Sequence, residues 1–286
     1  MTTTSRRSFA KSAAVGAGLL LATPLARAAA QTPEASPAAS PAVPGETITV
    51  KIGATPVPHA EILQFIQDNL AASAGLNLDI VEFTDYVQPN TALDEGELDA
   101  NYFQHLPYLN DFNSEHGTDL VPVVAVHIEP LGIYSNSIDS LDALEDGAVV
   151  GIPNDVTNGG RALKLLAANG LLTLDDSIEN PTVADITDNP KDLDIVELEA
   201  AQLPRSLDDT AISVINGNYA IEAGFTPATD ALALESGEDN PYANYLVVKA
   251  GNEEQPGIVA LAQVLTSDDV RAFIEETYEG SVIPAF

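Results

Sequence analysis

From Ile48 onward the chain alternates β-branched runs with amphipathic helical ones, and nothing else in it limits the possible folds as strongly. Ile48-Thr-Val-Lys-Ile-Gly-Ala54 alternates as a strand does. Residues 59–72 then place Ile62, Leu63, Ile66 and Leu70 at helical spacing before Gly75 stops the run. Strand, helix, strand end, helix and strand follow at 78–83, 88–95, 100–103, 107–116 and 120–128. A second series begins near Gly132, with strands at 148–152, 194–199 and 211–215 and a helix at 158–169 closed by Gly170. Alternation with short links predicts an α/β fold: mostly parallel sheets carrying helices on both faces. Ligands bind such sheets beyond the carboxyl ends of strands, near helix N-termini, so the segments just after strands are the ones to search.

The first thirty residues stand apart. Ser5-Arg-Arg-Ser-Phe-Ala-Lys11 has the twin-arginine pattern, an uncharged stretch covers 12–26, and Ala26-Arg27-Ala28 offers a small-x-small cleavage site. Residues 1–30 are therefore expected to be a twin-arginine signal peptide, cut after Ala28 or Ala30. The apolar run is shorter than the ~20 residues of a spanning helix. Prolines 33, 37, 41 and 44, set among small residues, predict an extended linker over 31–45.

Composition narrows the class further. The chain has no cysteine, which excludes disulfides, iron–sulfur clusters and cysteine-linked haem, and no cofactor is expected. Without a cysteine to carry a lipid, the expectation is a soluble protein, free on the periplasmic or extracellular face of the inner membrane. Beyond the signal, seven basic residues face all 43 acids, a net charge near −36. Such a surface repels phosphate backbones and anionic lipids, which argues against nucleic-acid partners and membrane insertion of the mature chain. Against so many acids, an arginine in an otherwise uncharged motif stands out.

The post-strand segments are rich in aromatic, amide and small polar side chains, a mix better suited to holding a small zwitterion than to breaking bonds. They carry a resemblance. Ala54-Thr-Pro-Val-Pro-His-Ala-Glu-Ile-Leu63, Val81-Glu-Phe-Thr-Asp-Tyr-Val-Gln-Pro-Asn-Thr-Ala-Leu93 and Gly96-Glu-Leu-Asp-Ala-Asn-Tyr-Phe-Gln-His105 are similar to blocks of the methionine-binding receptors of ABC importers, the NlpA or MetQ family. His127-Ile-Glu-Pro-Leu-Gly132, Ile152-Pro-Asn-Asp-Val-Thr-Asn-Gly-Gly-Arg-Ala-Leu163, Ala201-Gln-Leu-Pro-Arg205 and Ile215-Asn-Gly-Asn-Tyr-Ala220 continue it in register. Relatives usually carry a lipidated cysteine, which this chain lacks, and commonly do not use the twin-arginine route. The resemblance implies a type II periplasmic-binding-protein fold with two α/β lobes and a ligand cleft between them. Lobe 1 is expected over 46–128 plus 247–286 and lobe 2 over 129–246, with crossovers at 127–132 and 242–248. It also implies a non-catalytic monomer that captures methionine and delivers it to a membrane permease.

A zwitterion with a thioether needs three kinds of partner. Arg161 suits the carboxylate, since guanidinium pairs bidentately with carboxylates, and it sits near the start of a helix whose dipole favours the same anion. Gly159 and Gly160 are expected to leave backbone amides open beside it. Side-chain carbonyls of Asn158, Asn216 and Asn154 are candidate acceptors for the ammonium. By family analogy Tyr86, Phe103, His105 and Tyr108 line the side chain, where sulfur beside a ring gains ~0.3–1.5 kcal/mol per contact. A paralogous receptor for another small amino acid or a methionine-containing dipeptide is the main alternative. A metal receptor is weaker, because the spacing of His59, His105, His116 and His127 fits no compact ligand motif. A secreted hydrolase is weaker too, because no Gly-x-Ser-x-Gly, His-Glu-x-x-His or phosphate loop occurs.

Overall fold

The computed structural model describes residues 47–286 apart from 176, so the expected signal at 1–30 and linker at 31–45 lie outside the described residues. The chain enters as β1 (Ile48–Ala54), α1 (Glu61–Asn69), β2 (Leu76–Glu82), α2 (Gln88–Asp94), β3 (Ala100–His105), α3 (Leu106–His116) and β4 (Leu120–Ile128). It continues through β5 (Gly132–Tyr134), β6 (Val149–Pro153), α4 (Val156–Ala168) and a hairpin of β7 (Thr173–Leu174) and β8 (Ile186–Asp188). Next come β9 (Asp194–Leu198), α5 (Leu203–Ser206), β10 (Ile212–Ile215), α6 (Gly217–Glu222), α7 (Pro227–Asp230) and β11 (Ala233–Leu234). β12 (Ala243–Lys249), α8 (Pro256–Leu265), α9 (Asp268–Tyr278) and β13 (Ile283–Pro284) complete it.

These strands form two main sheets, ordered β13-β4-β12-β3-β1-β2 and β11-β5-β10-β6-β9. Each lobe carries one sheet and its own core. In the first, Val50, Ile52 and Ala54 alternate inward from β1, and Ile62, Leu63 and Ile66 of α1 are fully buried against them. Burying each such side chain contributes about 1.5–3 kcal/mol. Ile258 and Leu261 of α8 with Val270 and Ile274 of α9 join the same cluster, so the C-terminal helices share a core with β1 and α1. The second core gathers Ile133, Val150, Ile152, Leu163, Leu166 and Val214.

The chain crosses between the sheets twice, between β4 and β5 and again between β11 and β12. The crossings explain why the sheets are not wholly parallel. β1 pairs in parallel with β2 and β3, but the returning β12 inserts antiparallel between β3 and β4. In the second sheet β6 runs parallel to β9 and β10, while β5 pairs antiparallel with β10.

Two helix starts differ from the sequence reading. Pro56–Ala60 makes a separate tight turn in which Val57 has extended angles (φ −126°, ψ 137°), so α1 begins at Glu61 and His59 is left buried in the turn. α4 begins at Val156, because the Asp155 carboxylate accepts the Asn158 N–H (2.9 Å) and caps the helix from one residue earlier.

Candidate functional site

Residues at and just beyond strand ends in both lobes converge on one small cavity. From the first lobe it receives Tyr86 after β2, Phe103, Gln104 and His105 of β3, Tyr108 in the first turn of α3, and Asn244 of β12. The second lobe supplies Asn158 and Arg161 of α4 and the run Asn216-Gly217-Asn218 at the start of α6, while Glu129 comes from the first crossing. Seven of the eight residues expected from sequence therefore meet here. Asn154 does not: it donates to Glu199 (3.1 Å) in a neighbouring acidic groove.

The aromatic wall comes from the first lobe. Ring centroids of Tyr86 lie 6.0 Å from Phe103 and 5.8 Å from Tyr108, and Phe103 lies 6.2 Å from Tyr108. The Tyr108 hydroxyl donates to the Tyr86 carbonyl (2.9 Å), which fixes one ring against the other. His105 caps α3 by accepting the Tyr108 N–H on Nδ1 (3.1 Å), so its Nε2 carries the hydrogen and donates across the cleft to Asn158 Oδ1 (3.1 Å). Burial, helped by the Arg161 charge, lowers the pKa of His105 to about 3, so the ring is neutral at pH 7.

Polar groups of the second lobe are mostly held before any ligand is considered. Asn158 gives its Nδ2 to the Asp155 carboxylate and accepts from both His105 and Asn216 Nδ2 (2.8 Å). Its carbonyl is thus already committed, and the acceptor that remains is Asn216 Oδ1. Tyr86 donates across the cleft to Asn218 Oδ1 (2.6 Å), which leaves Asn218 Nδ2 as a spare donor. Among the described residues, Asn216 Oδ1 and Asn218 Nδ2 are buried without a hydrogen-bond partner. Leaving a buried polar atom unpaired costs about 1–3 kcal/mol, so one spare acceptor and one spare donor in the cavity lining suit a polar ligand.

Arg161 is only 4% exposed and is tightly oriented. Its Nε bonds both carboxylate oxygens of Glu235 (3.1 and 3.2 Å), and its Nη2 donates to the Glu129 carbonyl (2.9 Å) and to Glu235. The Tyr242 ring stacks beneath it, 4.1 Å from Cζ to the centroid. Nη1 makes no hydrogen bond among the described residues and is the donor left for a ligand. Gly159 and Gly160 have a different task from the one expected. A Cβ would lie 2.8 Å from the Pro153 carbonyl at Gly159 and 3.2 Å from the Pro181 carbonyl at Gly160, so these glycines let α4 pack closely.

The sequence reading missed Glu129. The residue is 6% exposed, and its Oε1 lies 2.8 Å from His127 Nε2 and 3.2 Å from His59 Nε2. Burial raises the pKa of this carboxyl, while His59, the Asn218 backbone N–H and Arg161 act against the rise. Two histidines whose spacing fits no compact motif thus meet a glutamate in space, all three ligand atoms lying within 4.8 Å of one another. The 2.8 Å separation is that of an N–H···O bond, while His59 Nε2 gives its hydrogen bond to Asn244 Oδ1. One clue was legible: a lone carboxylate in the apolar crossing Ile128-Glu129-Pro130-Leu131.

Gly217 tests how closely that carboxylate is fitted. A Cβ there would lie 2.8 Å from Glu129 Cβ and 3.2 Å from Oε2. Gly217→Ala should displace Glu129 and weaken ligand binding about tenfold or more, with little change in far-ultraviolet dichroism; calorimetric titration checks it.

A family model described as NlpA lipoprotein matches residues 50–286. The D-methionine-binding lipoprotein MetQ of Escherichia coli K12 is 41% identical over 237 residues, covering 82% of this chain and 87% of that protein. Among solved structures, a nutrient-binding protein from Burkholderia cenocepacia bound to methionine matches with a TM-score of 0.80 and 43% identity. The match covers 83% of this chain and 100% of that one. An ABC-transporter periplasmic substrate-binding protein from Coxiella burnetii matches at 0.79 and 38%, covering 82% and 100%. The family and the E. coli relative are described as lipoproteins, that is, proteins held by a lipid. This overturns the expectation of a soluble protein with no lipid anchor. The cysteine count stands, but it does not decide how such a protein is retained, and only the extracytoplasmic location is kept.

Proposed function

The chain belongs to the NlpA lipoprotein family, and from that premise we propose that it captures methionine outside the cytoplasm and hands it unaltered to an ABC permease. The observation that carries this reading is the pair of buried, unpartnered atoms, Asn216 Oδ1 and Asn218 Nδ2, in a cavity also lined by Arg161, Glu129 and an aromatic wall. In it Arg161 Nη1 and Asn218 Nδ2 take the carboxylate, and Asn216 Oδ1 and Glu129 Oε2 take the ammonium. Tyr86, Phe103, His105 and Tyr108 enclose the thioether. Asn158 acts through His105 and Asn216 by fixing both.

A non-catalytic role fits this lining. His105, the ring that could serve as a base here, has both nitrogens engaged, and the tyrosine hydroxyls of Tyr86 and Tyr108 each donate to a carbonyl. Three bonds span the cleft: His105 to Asn158, Tyr86 to Asn218, and Tyr219 to the Thr84 carbonyl (3.2 Å). Ligand and protein together would hold the lobes shut, as in hinge closure. We place the lobes at about 46–128 with the C-terminal segment from β12 onward, and 129 to β11. Residues 1–30 we read as a twin-arginine signal and 31–45 as a spacer. The acidic surface favours a monomer without nucleic-acid partners.

The test is thermal. Protein stripped of bound solute should gain about 2.7 kcal/mol at an L-methionine concentration 100 times Kd. For a domain pair of this size that raises Tm by roughly 5–11 °C. No shift with methionine, alongside a shift with another amino acid, would assign the cavity to that solute. Chemical change of recovered methionine would overturn the non-catalytic reading.

A further inference from the structure

Behind Glu129 lies a buried network that the binding site as described does not use. His59 Nε2 faces two acceptor oxygens, Glu129 Oε1 (3.2 Å) and Asn244 Oδ1 (3.2 Å), so it must carry the hydrogen. Its Nδ1 then accepts from the Thr55 hydroxyl (2.7 Å). His127 repeats the arrangement, with Nε2 directed at the same Oε1 (2.8 Å) and Nδ1 held by the Tyr102 hydroxyl. Thr55, His59, Tyr102 and His127 are all 1% exposed or less, and the two imidazoles pack 4.8 Å apart. Burial keeps both rings neutral at pH 7, with pKa values near 4 for His59 and near 3 for His127.

We infer that His59 and His127 are positioning residues that aim Glu129 at the ligand ammonium, each locked as a donor by the hydroxyl behind it. His127 donates to Oε1, His59 Nε2 packs 3.2 Å from the same oxygen while its hydrogen bonds Asn244 Oδ1, and Oε2 is left on the side of Gly217, at the cavity wall. Because the donors are neutral, they orient the carboxylate without cancelling its charge, which a lysine or arginine in their place would do. The residues come from the turn after β1, the end of β4, and β12, the elements that meet where the chain crosses between lobes. The charge that selects an amine is thereby fixed to the hinge side of the cavity. This role rests on the proposed contact between Glu129 and the ammonium.

The experiment compares L-methionine with 4-(methylsulfanyl)butanoate, which keeps carboxylate and thioether and lacks the amine, by calorimetric titration of the full protein stripped of solute. His127→Leu removes one donor to Glu129 and should weaken methionine about 10- to 100-fold while changing the des-amino acid less than about threefold. His127→Gln, which can offer an N–H at a similar reach, should recover most of that loss. Tyr102→Phe, which removes only the hydroxyl behind His127, should show the same selective loss at about 3- to 10-fold, and carries the test if the leucine variant does not fold. Equal losses for both ligands, or none for either, would overturn the positioning role while leaving the methionine assignment intact. If the unmodified protein binds both ligands equally well, the Glu129–ammonium contact itself is wrong and this role falls with it.

Discussion

Replacing Arg161 with alanine is expected to lower methionine affinity by ~100-fold or more, the largest single effect in the cavity. Removing one partner of a buried, hydrogen-bonded charge pair costs about 3–5 kcal/mol, and each 1.4 kcal/mol is tenfold in affinity. Arg161 is placed to show the full cost. It is 4% exposed, its remaining donor has no protein partner, and Glu235, the Glu129 carbonyl and the Tyr242 ring hold the other edge of the guanidinium. A ligand carboxylate therefore meets a group whose rotamer is already fixed, and little ordering entropy offsets the contact. Arg161→Lys should recover little, since one ammonium cannot keep Glu235 and the Glu129 carbonyl and also reach the ligand. Glu235→Gln provides a milder companion: the charge on Arg161 survives but its orientation loosens, and a loss of about tenfold is expected. Calorimetric titration with L-methionine measures all three, and unchanged affinity in the alanine variant would remove Arg161 from the site. Both Arg161 variants should also melt earlier than the parent protein, because Glu235 loses its partner in a largely buried position.

Most of the frame was legible because strand and helix periodicity are local properties. β1 and β4 run over the spans their β-branched residues predict, and several of the segments at strand ends, though not the one after β1, line the cavity. What could not be read locally was pairing. Nothing in Ala243–Lys249 announces that it will insert between β3 and β4, because that position is set when the chain returns from the second sheet. The site divides along the same line. Arg161 was visible as a lone cation in an uncharged motif, and the aromatic residues as strand-end rings. Glu129 was one acid among 43, and its importance lies in His59 and His127, which only the fold brings to it. The bracing contacts of Asn158 and the close packing at the paired glycines were not legible, because a side chain's partners are not a sequence property. Asn158 turned out to brace other groups, and Gly159 and Gly160 to admit close packing.

Ligand-free protein should lose stability steeply between pH 6.5 and about pH 4, and three buried histidines set both the sign and the window. Burial lowers the pKa of His59 from 6.5 to about 4 and those of His105 and His127 to about 3. Above pH 6.5 each ring is neutral in the folded and unfolded chains alike, and none contributes to the pH dependence. Below it the unfolded chain takes up protons that the folded protein refuses, so stability falls as pH falls, until the native rings titrate near pH 4 and below. One pH unit of such mismatch is worth about 1.4 kcal/mol per group. Three groups together give roughly 4 kcal/mol per unit, a large part of the ~5–15 kcal/mol that holds a domain folded. Two carboxyls work in the opposite direction. Burial raises the pKa values of Glu129 and Asp155, so the folded state binds their protons first and gains stability as pH falls, which offsets part of the histidine slope. Relief of repulsion among the surface acids acts in the same sense. Urea unfolding of solute-free protein at pH 7, 6 and 5 measures the net slope. His105→Gln isolates one histidine from the rest, because the surface contribution is common to both proteins. The variant should lose about 1.4 kcal/mol less per pH unit than the parent, and parallel curves for the two proteins would show that His105 is not held neutral by the fold.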